Sequence, residues 1–100
     1  MGDKIHVKDL HTRDVCIVPW EKEQKYFLYD CFERPGQKGR AVNVRESSDL
    51  VWWSESYPVF EPDENFWGPL DFWAPECHYW RGKYYMVSSF RAPGGYRGCQ

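Results

Sequence analysis

The sequence predicts an all-β fold, and three observations lead there. Aromatic residues, which suit a pleated and half-buried surface, are abundant: 6 Trp, 7 Tyr and 6 Phe make up 19% of the 100 residues. Short apolar or alternating runs recur between Gly, Pro, Asp and Ser clusters. No segment of about 11 residues or more holds a helical period. A chain so rich in residues that bury well is not a disordered one.

The elements follow in order. Met1 to Arg13 is polar and shows no clear period. Val15-Cys16-Ile17-Val18 is a short apolar run that Pro19 is expected to end, which suits a buried strand. Glu21 to Lys25 reads as a charged turn, and Tyr26 to Cys31 as a second strand paired with the first. Arg34 to Gly39 is a loop by its Gly and Pro content. Arg40 to Arg45 alternates apolar and polar residues and reads as a half-buried strand. Ser47 to Leu50 is a turn, and Val51-Trp52-Trp53 starts a short outer strand. Tyr57 to Leu70, with three prolines and Gly68, reads as a long connection. Glu76 to Trp80 is a strand, Arg81-Gly82 a turn and Lys83 to Phe90 a strand. Arg91 to Gly98 is rich in Gly and Pro and reads as loop.

The two hairpins repeat. Lys25-Tyr26-Phe27-Leu28-Tyr29 matches Lys83-Tyr84-Tyr85-Met86-Val87 at an offset of 58 residues. Self-similarity at such a period marks a repeat architecture, and four antiparallel strands per unit make a propeller blade. Residues 1–100 then form one partial domain, with blade one over about 11–60 and the start of blade two over about 71–100. A lone blade cannot bury both of its faces, so a piece of a longer protein is expected. Open sheet edges would favour self-association. The rival is a small domain that oligomerises to complete its core.

Bulk properties exclude several partners. With 13 basic and 15 acidic residues the net charge is −2, and no basic block offers a nucleic-acid surface. No run of about 18 apolar residues exists for a membrane helix. The polar N-terminus has no secretory h-region, and His6 stands where a myristoylation motif needs Ser or Thr, so a cytoplasmic location is expected. Cys16, Cys31, Cys77 and Cys99 form no C-x-x-C pair and read as reduced thiols. Cys16 and Cys31 sit on neighbouring predicted strands, but nothing in the sequence supports a disulfide between them. Asp63 to Gly68 begins like a calcium loop, but Trp67 at its fifth position and Ala74 at its twelfth break the pattern.

The stretch Asp71-Phe72-Trp73-Ala74-Pro75-Glu76-Cys77-His78 carries the functional signal. Acids beside aromatics at the mouth of a strand are what a sugar site needs. The same pattern also makes a loop with a hydrophobic plug. Glu76, Asp71, Trp73, Phe72 and His78 are the candidates, each with a structural alternative. Glu76 and Asp71 also suit ordering the loop, Trp73 also suits the core, and a lone His is commonly a hydrogen-bonded strand residue. Asp14 is either a strand-edge partner of Arg13 or Arg40 or an active carboxylate.

Three places resemble glycoside hydrolase family 43, five-bladed propeller enzymes acting on arabinose- and xylose-containing glycans. His11 to Ile17 resembles the family's Arg-Asp-Pro-x-Ile strand. Ser48-Asp49-Leu50-Val51-Trp52-Trp53 resembles its Ser-x-Asp-Leu-x-x-Trp turn. Phe72 to His78, followed by Gly82-Lys83-Tyr84-Tyr85, resembles its Trp-Ala-Pro-acid strand opening. Val15 stands where the family has proline, and Glu76 where many members have Asp.

Inverting glycoside hydrolysis uses two carboxyl groups about 6.5–9.5 Å apart, one activating water and one protonating the leaving oxygen. The resemblance implies that Asp14 is the general base and that Glu76 tunes the general acid. That general acid, a Glu of the third blade, lies outside this chain. The chain alone is therefore expected to be inactive, with an oligosaccharide as the parent enzyme's substrate. A non-catalytic carbohydrate-binding or scaffold piece is the alternative. Some family members hold an axial calcium, whose ligand the resemblance places beyond this chain, so no cofactor or metal is expected here.

Overall fold

A computed structural model describes residues 4–31, 41–61, 63, 65–66, 70–95 and 97–99. The fold is all-β and the sheets are antiparallel, in keeping with part of a propeller. Nine strands are described: β1 (Ile5–His6), β2 (Cys16–Trp20), β3 (Lys25–Asp30), β4 (Val42–Ser47), β5 (Trp52–Trp53), β6 (Tyr57–Phe60), β7 (Leu70–Trp80), β8 (Lys83–Arg91) and β9 (Arg97–Cys99). They form a four-stranded sheet in the order β2-β3-β4-β6, a three-stranded sheet β7-β8-β9 and a ribbon β1-β5.

Several expectations change. Pro19 does not end the first strand; it lies within β2, opposite Tyr26. β2 is an edge strand, where a missing N–H costs no ladder bond. Pro58 on β6 and Pro75 on β7 also sit on edge strands, for the same reason. Trp52–Trp53 is not the outer strand of the first sheet. It pairs with Ile5–His6, from the segment that showed no period. The fourth strand of the sheet is instead Tyr57–Phe60, which the prolines disguise as a connection. Arg97–Cys99 likewise extends the second sheet from a segment that reads as loop. The Arg34–Gly39 loop lies outside the described residues.

The hairpin repeat has a structural counterpart. β3 begins at Lys25 and β8 at Lys83, each as the second strand of its sheet. The turns differ. The first closes over a 3-10 turn at Glu21–Glu23 with Gln24 left-handed, at φ 52°. The second is the two-residue turn Arg81-Gly82, with φ 48° and 81°. Two positive φ values in a two-residue hairpin loop match the right-handed twist of the flanking strands.

The core lies between the two larger sheets. Val42 of β4 packs with Phe72 of β7 and Phe90 of β8, and Phe60, Phe66, Met86 and Cys31 close around them. Phe72 and Phe90 meet edge to face at 4.5 Å, and Phe66 meets Phe90 at 5.0 Å. Burying rings of this size, about 1.5–3 kcal/mol for each Phe, supplies the adhesion between the sheets.

Candidate active site

The segments bearing Asp14 and Glu76 meet where Cys16 packs on Cys77. The Cys16 sulfur accepts the Cys77 backbone N–H at 3.3 Å, and its S–H lies 3.9 Å from the Cys77 carbonyl. Asp14 precedes Cys16 by two residues and Glu76 adjoins Cys77, so the mouth of β2 lies against the middle of β7. Both acids are exposed.

Register sharpens the relation. Cys16 pairs with Tyr29 in the first hairpin, and Glu76 pairs with Val87 in the second. Tyr29 and Val87 are the repeat-related positions, so Cys16 corresponds to Glu76 and Asp14 to Ala74. Asp14 and Ala74 are both left-handed, at φ 52° and 41°. Asp tolerates this region; for Ala it costs about 1–2 kcal/mol. The repeat therefore preserves a bend, and each unit hangs its acid at a different point around it.

At Ala74-Pro75 the bend is an irregularity in β7. Trp73 pairs with Ser89 and Glu76 with Val87, three residues against two. The extra residue puts Trp73 and Glu76 on one face of the sheet, where plain alternation would separate them. His78 continues that face, with Nε2 3.7 Å from Glu76 Oε1. Arg97 completes it. Its guanidinium lies 3.5 Å from the Trp73 ring centroid, and it donates to the Ser89 hydroxyl. Carboxylate, imidazole, indole and guanidinium thus share an open surface. Trp73 is 56% exposed and can offer ring surface to a sugar.

Phe72 requires a correction. It is 4% exposed and sits in the aromatic core, facing away from Trp73. A ring covered on all sides stabilises the sheet pair and offers nothing to a sugar. Asp71 lies in β7, and its side chain is outside the described residues. The same holds for Arg40, one of the two arginines that could have paired with Asp14.

Sequence reasoning missed three participants. Arg97 sits in a three-residue strand within a Gly- and Pro-rich tail, and no local signal marks it. Cys16 reads as a core thiol, yet it joins the two acid-bearing segments. Asp30 is buried and accepts the Thr12 hydroxyl, which ties down the segment leading to Asp14. An acid ending a strand of aromatics was the available clue for Asp30.

The thiols are free, and Cys16 lies beside Cys77 rather than beside Cys31. Cys31 instead contacts the Ser88 hydroxyl at 3.7 Å, and burial pushes its pKa up to about 11. Tyr29, opposite Cys16, is pushed up to about 12, chiefly by burial and then by the neighbouring Cys77. These groups are neutral at pH 7 and belong to the packing beneath the site. Asp63 caps a turn by accepting the Asn65 N–H at 2.8 Å. Among the described residues, no cluster of three or more His, Cys, Asp or Glu is placed to hold a metal ion.

The sequence profile described as glycosyl hydrolases family 43 matches residues 7–98, spanning both acid-bearing segments. The chain belongs to this family. A similar solved structure is that of an endo-arabinase from Bacteroides thetaiotaomicron. It is 30% identical with a TM-score of 0.76, and the match covers 99% of this chain and 33% of that one. The chain thus spans 33% of the length of that family member. No curated protein matches the chain.

Proposed function

We propose that this chain supplies two of the acids of an inverting glycoside hydrolase acting on arabinose- or xylose-containing glycans. Asp14 activates water as the general base, and Glu76 holds a general acid in the required charge state and orientation. The observation that carries this reading is the Cys16–Cys77 contact, which brings the two acid-bearing segments together within a family 43 chain. His78, beside the Glu76 carboxylate, and Trp73, exposed on the same face, supply sugar contacts. The name of the similar endo-arabinase favours an arabinose-containing substrate.

The chain reads as one four-stranded blade and the opening of a second in a five-bladed propeller. The order β2-β3-β4-β6 supports the first blade. The exposed Tyr85 and Val87 of β8 suit packing by further blades. Because the general acid belongs to a third blade, residues 1–100 alone are inactive. Losing a general acid removes roughly 10²–10⁴-fold of rate. Retention of both acids favours this reading over a non-catalytic binding or scaffold piece, which needs neither.

The test is chromophore release from an aryl α-L-arabinofuranoside and an aryl β-xyloside. The isolated chain is expected to give none. In the full-length parent, Asp14→Asn should lower kcat by roughly 10²-fold or more. Enzyme-like turnover by the isolated chain, abolished by Asp14→Asn, would overturn the division of acids. An unaffected Asp14→Asn parent would overturn the general-base role.

A further inference from the structure

The hairpin tips form a second aromatic surface, distinct from the face that carries Glu76. A groove of about 720 Å³ runs between them, and Trp20, Glu21, Lys22, Tyr79, Lys83 and Tyr84 are among its lining residues. Trp20 stacks on Tyr84 at 4.7 Å, and Tyr79 meets Tyr84 edge to face at 5.0 Å. Tyr79 is 64% exposed, so much of its ring remains open.

Strand geometry separates this groove from the acids. Trp20 is four residues beyond Cys16 on β2, roughly 13 Å at strand spacing. Tyr79 is three residues beyond Glu76, roughly 10 Å. Tyr79 also follows His78 directly, so it lies on the opposite face of β7.

We infer that this groove binds a short neutral oligosaccharide at a second site. Aromatic rings give flat apolar surfaces for sugar C–H groups. Two tyrosine hydroxyls and the side chains of Glu21, Lys22 and Lys83 surround them with donors and acceptors for sugar hydroxyls. Acidic and basic groups are mixed within the lining, so it selects for neither an anion nor a cation. The volume lies within the range of about 300–1,000 Å³ usual for small-molecule sites. Trp20 and Tyr84 come from different sheets, and their stack fixes the groove's shape before any ligand arrives. The inference rests on these residues and not on the roles proposed for Asp14 and Glu76.

The experiment is titration of the 100-residue chain with α-1,5-arabinotetraose, and separately with xylotetraose, followed by tryptophan emission and by amide shifts in NMR. At least one sugar should bind saturably, with shifts centred on Lys22, Tyr79 and Lys83. Tyr79→Ala should weaken that binding roughly tenfold, while Tyr79→Phe, which keeps the ring, should bind nearly as well. The amide shifts at Lys22, Tyr79 and Lys83 should persist in Asp14→Asn and Trp73→Ala. Tyr79 is exposed, so its replacement leaves the fold intact, and dispersion of the amide spectrum checks this. Absence of saturable binding by either sugar would overturn the inference. So would binding that is lost in Trp73→Ala and kept in Tyr79→Ala, because the sugar would then occupy the acid-bearing face.

Discussion

Asp49 shows how one side chain can organise a turn. Its Oδ1 accepts the Val51 and Trp52 backbone N–H groups, each at 2.9 Å. The Ser47 hydroxyl donates to the same carboxylate at 3.1 Å and accepts the Leu50 N–H at 2.9 Å. The chain reverses tightly enough to put Leu50 at φ 66° and to bury Trp53, whose indole N–H donates to the Leu50 carbonyl at 3.3 Å. The hydroxyl in this network is that of Ser47, one residue before the motif as read from sequence. Backbone donation, from Trp52 first and Val51 next, holds the Asp49 carboxyl below its ordinary range. A lowered folded pKa gives stability that is present above the unfolded value, about pH 4, and is lost as pH falls through the folded value. Asp49→Ala should therefore lower Tm at pH 7, and the difference from wild type should shrink steadily in acid. Thermal melts between neutral and acid pH check this; a gap that widened in acid would contradict it.

Strands and turns show which local signals were legible. Both hairpins follow from their aromatic runs and turn residues, and the Arg81-Gly82 turn is the clearest. Gly82 has φ 81°, and an added Cβ would meet nothing within 4 Å. Gly82→Ala should cost only the backbone term, about 1 kcal/mol, in urea unfolding. A much larger loss would mean that a steric neighbour exists. Tyr57–Phe60 and Arg97–Cys99 were hidden by Pro and Gly, because edge strands tolerate what central strands exclude. The bend at Ala74-Pro75 was hidden too. Counting alternate residues along β7 puts Trp73 and Glu76 on opposite faces, and the bulge reverses that.

At the scale of the molecule, the two larger sheets adhere through a core that faces one side only. The radius of gyration is 14.2 Å. A closed domain of this length has about 13 Å. The difference fits sheets that leave an outer face uncovered. Phe72 and Trp73 are neighbours in sequence but lie on opposite sides of this arrangement. Phe72→Ala should cost about 3–5 kcal/mol, a large part of the roughly 5–15 kcal/mol that holds a domain together. Trp73→Ala, at an exposed ring, should cost far less. Urea midpoints for the two variants check the assignment of faces, and comparable losses would refute it.

Sequence alone determined the all-β class, the two hairpins, the repeat and the family resemblance that singles out Asp14 and Glu76. These are local properties: residue type, alternation and turn chemistry act over a few positions and need no partner. Tertiary structure decided which of the candidate residues share a surface. Phe72 went to the core and Trp73 to the open face because a bulge shifted the alternation. Arg97 came to lie over Trp73 because β9 pairs with β8. Cys16 became the link between the acid-bearing segments because β7 packs across β2. Each of these depends on where distant strands meet, and no pattern within one strand encodes that.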